Sequence, residues 1–138
     1  PVRWAEPFEA LRRRGDAIAS PASLVLLGPA AEHAARAGFT RGLLAIAGLR
    51  TIDAGPDASG PPLAVLCGSD ERYAAEAQGS ARALKAAGAG RVWLAGRPGE
   101  HEAALRAAGV DRFIYAGGEV FEPLEEALSA LAGAKVAS

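Results

Sequence analysis

The fold class of this chain is indicated by a pattern of predicted helix ends that occurs three times. Each time, an alanine-rich stretch ends at an Ala-Gly pair, and a short aliphatic segment follows within a few residues. Glycine just past a helix end adopts the left-handed conformation easily, because it has no Cβ atom. Helices followed so closely by strands are typical of α/β units with short connections. The three pairs are Ala47-Gly48, Ala87-Gly88 and Ala108-Gly109.

Hydrophobic patterning assigns the segments between these marks. Unbroken aliphatic runs such as SLVLL at 23–27 and LAVLC at 63–67 suit strands that are covered on both faces. In the longest helical stretch, Ala35, Phe39, Leu43 and Ile46 recur at the helical period and predict its buried face. We expect strands at 23–27, 50–54, 63–67, 91–95 and 112–116, and helices at 6–19, 30–47, 70–87, 100–108 and 121–131.

Five strands that alternate with helices predict an α/β fold with a parallel sheet and helices on both faces. At this size the flavodoxin-like (Rossmann-like) strand order 2-1-3-4-5 is a common arrangement. The link GPDASGPP at 55–62 is too short and too rich in Gly and Pro for a helix, so we expect the second crossover helix to be missing. We interpret residues 1–20 as a linker and lead-in helix, with Phe8 and Leu11 as apolar contacts, and 21–138 as the α/β domain.

Composition excludes several classes of function. The 138 residues make one domain, and 15 basic against 16 acidic residues leave a net charge of −1, without the basic excess that nucleic acid or an anionic membrane attracts. No apolar run is long enough to span a bilayer. The single cysteine fits a reducing compartment, so we expect a cytoplasmic protein. Methionine is absent, and we expect either a lost initiator or a fragment of a longer protein.

A ligand site is expected at the carboxyl ends of the strands, near the switch in strand order. Glycine-bearing segments follow four strands there, although such glycines also simply make tight turns. They are 28–31, 68–70, 96–99 and 117–118.

Individual side chains at this edge leave alternatives open. His33 is predicted beside the crevice, either as a solvated residue of the first helical turn or as a ligand. Ser69 or Asp70 suits a helix N-cap. Cys67 ends an apolar strand and is expected to be a buried, inert thiol, and Trp93 and Tyr115 are expected in the core. No Ser/His/Asp set, zinc motif or phosphate loop is visible, so no catalytic residue is predicted.

The stretch 63–128, from LAVLCGSDERY to FEPLEEAL, resembles the C-terminal cobalamin-binding-type domain of methylmalonyl-CoA mutase. The likeness is greatest to the small, non-catalytic subunit of the two-chain bacterial enzyme. WAEPFEALR at 4–12 is similar to the linker before this domain, and LGPAAEHAARA at 27–37 is similar to its first loop. The resemblance implies a flavodoxin-like fold within a heterodimeric, adenosylcobalamin-dependent isomerase that interconverts methylmalonyl-CoA and succinyl-CoA. It also implies a large catalytic subunit or a preceding barrel domain as partner.

The resemblance also implies where a cofactor would bind. Catalytic subunits carry Asp-x-His-x-x-Gly after the first strand, and counting back from Gly48 places Ala31, His33 and Arg36 at those positions. The cobalt ligand is therefore kept, whereas its orienting carboxylate and the glycine are lost. The family's Ser-x-Leu motif maps on Cys67-Gly68-Ser69 and is altered there, whereas the glycine pair Gly117-Gly118 is kept.

Two interpretations of these departures remain. In the first, the domain is degenerate, has lost cobalamin, is not catalytic by itself, and serves assembly or stability of the mutase. In the second, it binds cobalamin through His33 on cobalt, with Gly28, Ser69, Gly117 and Gly118 around the cofactor. An unrelated flavodoxin-like domain that binds a nucleotide or flavin is a third interpretation, weakened by the lack of a phosphate-cradling loop.

Overall fold

The computed structural model describes residues 6–55 and 60–133 of the chain. Five strands alternate with helices, as the patterning predicts. One helical stretch, between the third and fourth strands, consists of a short α-helical turn, a π-helical turn and a longer α-helix. The elements are α1 (Glu6–Asp16), β1 (Ala22–Leu26), α2 (Ala30–Ile46), β2 (Thr51–Ala54), β3 (Leu63–Cys67), α3 (Asp70–Arg72), the π-helical turn (Tyr73–Ala77), α4 (Gln78–Ala86), β4 (Arg91–Ala95), α5 (Glu102–Ala108), β5 (Arg112–Ile114) and α6 (Phe121–Ala132).

The strands form one parallel sheet in the order β2-β1-β3-β4-β5, which confirms the predicted flavodoxin-like arrangement. In the central register, Leu24 of β1 pairs with Val65 of β3, which pairs with Trp93 of β4. All three side chains are fully buried. Parallel strands covered on both faces must be apolar along their whole length, which explains the runs without alternation.

Two hydrophobic clusters lie on opposite faces of the sheet. On one face α1, α2 and α6 cover a cluster that includes Leu24, Val65 and Trp93. On the other face α4 and α5 cover Val25, Leu66 and other strand residues. Alanines at the contacts, such as Ala37 on the first face, let the helices approach the strands closely. The scarcity of aromatic residues therefore reflects thin helix–sheet layers.

The predicted buried face of α2 is wrong in part. Leu43 is buried as expected, and Phe39 is partly buried, but Ala35 and Ile46 are exposed. The face that contacts the sheet is rotated about the helix axis relative to the predicted one. Its buried residues are Ala37, Thr40, Leu43 and Leu44.

The predicted glycines at the helix ends are confirmed. Gly48, Gly88 and Gly109 follow their helices with φ angles of 71°, 98° and 122°, the left-handed region that glycine adopts at helix ends. Element bounds shift by a few residues: α1 ends at Asp16 rather than at Ala19, and β5 ends at Ile114 rather than at Ala116.

The lead-in helix packs inside this fold. Leu11 of α1 is 2% exposed and belongs to the core cluster. The rings of Phe8 and Phe121 meet edge to face with their centroids 5.7 Å apart. Arg14 donates to Glu125 of α6 at 2.7 Å. Helix α1 is therefore held to α6 by apolar, aromatic and ionic contacts.

Strand β2 is the edge strand. The link to β3 shows no helix among its described residues 55 and 60–62, as the short Gly- and Pro-rich sequence predicts. On β2, Asp53 accepts a hydrogen bond from Arg41 of α2 at 3.1 Å, whereas Ile52, on the opposite face, is 50% exposed. Within residues 6–55 and 60–133, no helix combines the length and hydrophobicity that crossing a bilayer requires.

Candidate functional site

Three of the predicted site residues meet at the carboxyl ends of β1 and β3. Gly28 follows β1, His33 lies in the first turn of α2, and Ser69 follows β3. Between them the carboxylate of Glu32 accepts hydrogen bonds from Arg72 Nε at 3.0 Å and Arg72 Nη2 at 3.1 Å. The crevice between the two strands is therefore crossed by an ion pair from the protein itself.

Ser69 supports this ion pair and caps the following helix. Its hydroxyl accepts from the amide of Arg72 at 3.0 Å, which confirms the N-cap interpretation for Ser69 rather than Asp70. The same hydroxyl donates to Glu32 at 3.2 Å, and Glu76 accepts from Arg72 at 2.7 Å. The hydrogen bonds that Glu32 accepts from Arg72 and, to a smaller extent, from Ser69 lower the pKa of Glu32. The carboxylates of Glu32 and Glu76 raise the pKa of Arg72. The ion pair therefore stays fully charged at neutral pH.

Gly28 is tightly enclosed by the same pair. Its φ angle is 74°, and a Cβ atom there would lie 2.7 Å from Arg72 Nε and 2.8 Å from Glu32 Oε1. Glycine is required at this turn for its backbone conformation and for the space that the ion pair takes.

His33 is half-buried, and its ring is oriented by the main chain. Nδ1 lies 3.1 Å from the carbonyl oxygen of Gly28. In the tautomer that donates this hydrogen bond from Nδ1, Nε2 is unprotonated and able to accept or to ligate. The main-chain carbonyl of Gly28 thus orients the imidazole, in place of the carboxylate that the sequence lacks at position 31.

Arg36, one turn further along α2, reaches across the edge of the sheet. Its guanidinium donates to the carbonyl oxygen of Gly68 at 2.8 Å and to Asp70 at 2.9 Å. The guanidinium carbon also lies 5.2 Å from the ring centroid of Tyr73. Three different contacts hold this long side chain over the end of β3.

Tyr73, which the sequence interpretation did not single out, closes the gap between β3 and β4. Its hydroxyl accepts from the amide of Gly68 at 2.9 Å, donates to Ala95 O at 2.6 Å, and lies 3.1 Å from Leu66 O. Burial raises the pKa of this phenol. It lies in the π-helical turn, and it is the only aromatic side chain of the predicted helix 70–87, a signal that could have drawn attention to it.

A cavity of about 780 Å³ opens on the β4–β5 side of Arg36. Phe39, Leu94, Leu105 and Ile114 contribute apolar walls, and the loop 96–99 forms part of its rim. The predicted crevice residues Gly28, His33 and Ser69 do not line it. This space lies towards β4 and β5, whereas a smaller space of about 250 Å³ at the switch point is lined by Glu32, Ser69 and Arg72.

Tyr115 lines this cavity, and its predicted place in the core is wrong. It lies just beyond the end of β5, is half-buried, and carries the guanidinium of Arg97 at 4.8 Å from its ring centroid. Gly117 and Gly118 follow it, so the glycine pair lies at the opposite end of the sheet edge from Gly28. Trp93, by contrast, is fully buried as predicted. His101, to which no role was assigned, also lines the cavity.

Cys67 is buried at the end of β3. Burial raises the pKa of its thiol to about 11, so it stays protonated at neutral pH and is poorly reactive, as predicted. Among the described residues, no group of three or more His, Cys, Asp or Glu side chains could hold a metal ion. Glu32 and Arg72 are the charged groups that the geometry adds to the predicted site, which already included Arg36.

Comparison with known proteins gives relatives for most of the chain. A Mycobacterium bovis protein named probable methylmalonyl-CoA mutase small subunit is 43% identical over 111 aligned positions, covering 68% of the chain and 18% of that protein. The methylmalonyl-CoA mutase small subunit of Streptomyces virginiae is 41% identical over 133 positions, covering 84% of the chain and 20% of that protein. The chain thus spans about one fifth of the length of these relatives. No protein-family model matches it.

Proposed function

Because the chain is homologous to part of the proteins named methylmalonyl-CoA mutase small subunit, we propose that it is a degenerate cobalamin-binding-type domain of such a subunit. In this proposal it has lost cobalamin binding and serves the assembly or stability of a mutase that also contains a large catalytic subunit. The resemblance detected in the residues themselves agrees with the names of these relatives.

The observation that carries this proposal is the set of side chains that cross the sheet edge. A cobalamin ligated by His33 would need open space at the β1–β3 crevice for its nucleotide tail. That crevice holds the Glu32–Arg72 pair at 3.0 Å and the guanidinium of Arg36, 2.8 Å from Gly68 O. Opening it would separate ionised groups that hold each other and would leave the Gly68 carbonyl without this donor. The residues present therefore do not fit the cofactor.

The rest of the domain is well suited to a structural role. The sheet has its five strands in register, the core contains large fully buried side chains such as Trp93 and Leu128, and the helix ends have their glycines. A domain that keeps this framework while side chains cross its β1–β3 crevice can contribute contacts to a larger assembly. No reaction step is assigned to its side chains.

Titration with hydroxocobalamin or adenosylcobalamin tests the loss of the cofactor. We expect no base-off/His-on change in the absorption spectrum of the wild-type chain, of His33→Ala or of His101→Ala. His101 is the matched control, because it is the only other histidine. A His-on spectrum in the wild type and in His101→Ala that disappears in His33→Ala would overturn the proposal.

The assembly role needs a separate test in the complete subunit. We expect that removing this domain from the small subunit weakens co-elution with the large subunit or lowers the thermal midpoint of the complex. An unchanged complex would contradict the assembly role. Removing residues 1–19 alone does not test this role, because Leu11 is part of the core and its loss also destabilises the domain itself.

One observation favours the second candidate, a domain that binds cobalamin through His33. The hydrogen bond from His33 Nδ1 to Gly28 O, at 3.1 Å, is the kind of second contact that orients a metal-ligating imidazole. This alternative requires Glu32, Arg36 and Arg72 to move on binding. The titration above distinguishes the two candidates.

A further inference from the structure

The cavity between α2, the ends of β4 and β5, and the start of α5 has the properties of a small-molecule site. Its volume of about 780 Å³ lies within the range of about 300–1,000 Å³ that is common for ligand pockets. It opens at the carboxyl edge of a parallel sheet, where such folds bind ligands. His33, Gly28 and Ser69 do not line it, although Arg36 borders both this cavity and the β1–β3 crevice.

The lining of the cavity favours a ligand that is mostly hydrocarbon. Phe39 and Pro98 line it and are partly exposed, whereas Leu94, Leu105 and Ile114 also line it but are only 1%, 6% and 2% exposed. Burying apolar ligand surface against such walls is favourable by roughly 25 cal/mol per Å². The hydroxyl of Tyr73 points to Ala95 O and Gly68 N, so it adds no free polar group to the interior.

Arg97 provides a charged group at the mouth of this cavity. It lies in the loop after β4, is exposed, and is held with its guanidinium 4.8 Å from the ring centroid of Tyr115. Among the residues of the described ranges it forms no salt bridge, whereas Arg36 on the other wall is paired with Asp70 at 2.9 Å. A guanidinium that stacks on an aromatic ring keeps its N–H edge available for a carboxylate.

Other charged groups at the mouth limit the choice of ligand. Glu71, Glu100 and His101 also line the cavity and are exposed to solvent. Arg36 is paired with Asp70, so among the described lining residues Arg97 is the guanidinium without a salt bridge, and it can take one carboxylate. A polyanion would also meet the two exposed glutamates, whereas a single negative charge placed against Arg97 avoids them.

We propose that this cavity binds an apolar monocarboxylic acid, with its carboxylate on Arg97 and its hydrocarbon part against the partly exposed lining residues Phe39 and Pro98. The ligand enters from the carboxyl edge of the sheet, between α2 and the loop 96–99.

Octanoate is a suitable probe, with 1-octanol as the uncharged ligand of the same length. Both are titrated into the wild-type chain while amide chemical shifts are followed by NMR. We expect saturable binding of octanoate with shift changes at Gly96, Gly99 and Tyr115, and binding of octanol about tenfold or more weaker, because it lacks the charge-assisted hydrogen bonds to Arg97.

Two variants and a matched control separate the parts of the site. Arg97→Gln should weaken octanoate about tenfold or more and leave octanol unchanged. Ala35→Phe fills the cavity from an exposed position of α2 and should abolish binding of both probes. Ala34→Phe, the exposed neighbour that does not line the cavity, should bind both like the wild type.

The proposal is wrong if the wild type shows no saturable octanoate binding, or if octanoate and octanol bind equally. Unchanged octanoate affinity in Arg97→Gln or in Ala35→Phe also contradicts it. The wild-type shift map stays decisive should a variant fail to fold. A negative result here leaves the proposed assembly role untouched, because that role is tested with the mutase subunits and not with this ligand.

Discussion

The carboxylate of Glu32 on α2 accepts two hydrogen bonds from the guanidinium of Arg72 on α3, at 3.0 and 3.1 Å. This pair joins the helix after β1 to the helix after β3 at the point where the strand order reverses. In an open α/β sheet, that point is where a ligand would enter. A side-chain contact between residues 40 positions apart in the sequence therefore decides what the edge can accept.

The Glu32–Arg72 pair makes the stability of the folded domain depend on pH. Arg72 lowers the pKa of Glu32 below its ordinary value of 4.5, so the folded chain binds this proton less readily than the unfolded chain. The stabilisation that this ion pair gives the folded chain is present at pH values above 4.5 and is lost as pH falls through the lowered pKa of Glu32. In thermal unfolding, we expect Glu32→Gln to melt below the wild type at pH 7 and the difference to shrink as pH falls below 4.5. The control is Glu71→Gln, an exposed neighbour without a salt bridge in the described part of the chain. A difference that is constant with pH would contradict the prediction.

The hydroxyl of Tyr73 is expected to stabilise the joint between β3 and β4. Tyr73→Phe removes the acceptor of the buried Gly68 amide and the donor to Ala95 O. Leaving such buried groups unpaired costs about 1–3 kcal/mol of unfolding free energy, measured by urea denaturation. Tyr115→Phe is the matched control, since its half-buried ring lies at the cavity, and it should change stability much less. Equal effects of the two variants would show that the Tyr73 hydroxyl has no special role.

The lead-in helix is expected to contribute to the stability of the domain. Leu11 is 2% exposed and packs in the core cluster, so Leu11→Ala should lower the free energy of unfolding by about 2–5 kcal/mol. Glu9→Ala, at an exposed position of the same helix, serves as the control and should have little effect. A stability change below about 1 kcal/mol for Leu11→Ala would mean that α1 is not part of the cooperative unit.

Two glycines of the α2 region should respond oppositely to alanine. Gly42 lies inside α2, and a Cβ atom added there would meet no neighbouring group within 4 Å, so Gly42→Ala should stabilise the chain by about 0.5–1 kcal/mol. Gly48 has a φ angle of 71°, and a Cβ atom there would overlap the carboxylate of Asp16. Gly48→Ala should therefore destabilise by about 1–2 kcal/mol or more. Denaturant titration of both variants checks the sign, and the same sign for both would contradict this explanation.

Much of the architecture could be predicted from local signals. The bounds of β3 and β4 agree with the runs LAVLC and RVWLA, and the glycines mark helix ends because a left-handed residue is needed there. Alternation predicts a parallel sheet, and the order 2-1-3-4-5 was predicted as a common arrangement at this size. The homology to mutase small subunits was also detectable in the residues, since the quoted motifs carry it.

The geometry of the site was less predictable, because it depends on side chains from separate elements. Arg36 was predicted at the position of the family's glycine, but its contacts with Gly68, Asp70 and Tyr73 exist only when α2 and β3 are packed together. His33 was expected to lack an orienting acceptor, and the turn of the main chain supplies one from Gly28.

By itself, the sequence determined which segments become strands and helices and where the helices end, since these choices depend on hydrophobic runs and glycines within a few residues. Only the tertiary structure decided which side of the alanine-rich α2 is buried, because alanine gives a weak difference between faces and the packing against β1 and β3 selects among them. It also decided that the open space lies beside Leu94 and Ile114 rather than at His33, since the Glu32–Arg72 pair and Arg36 occupy the switch point. Long charged side chains reach such places only through partners that are distant in the sequence.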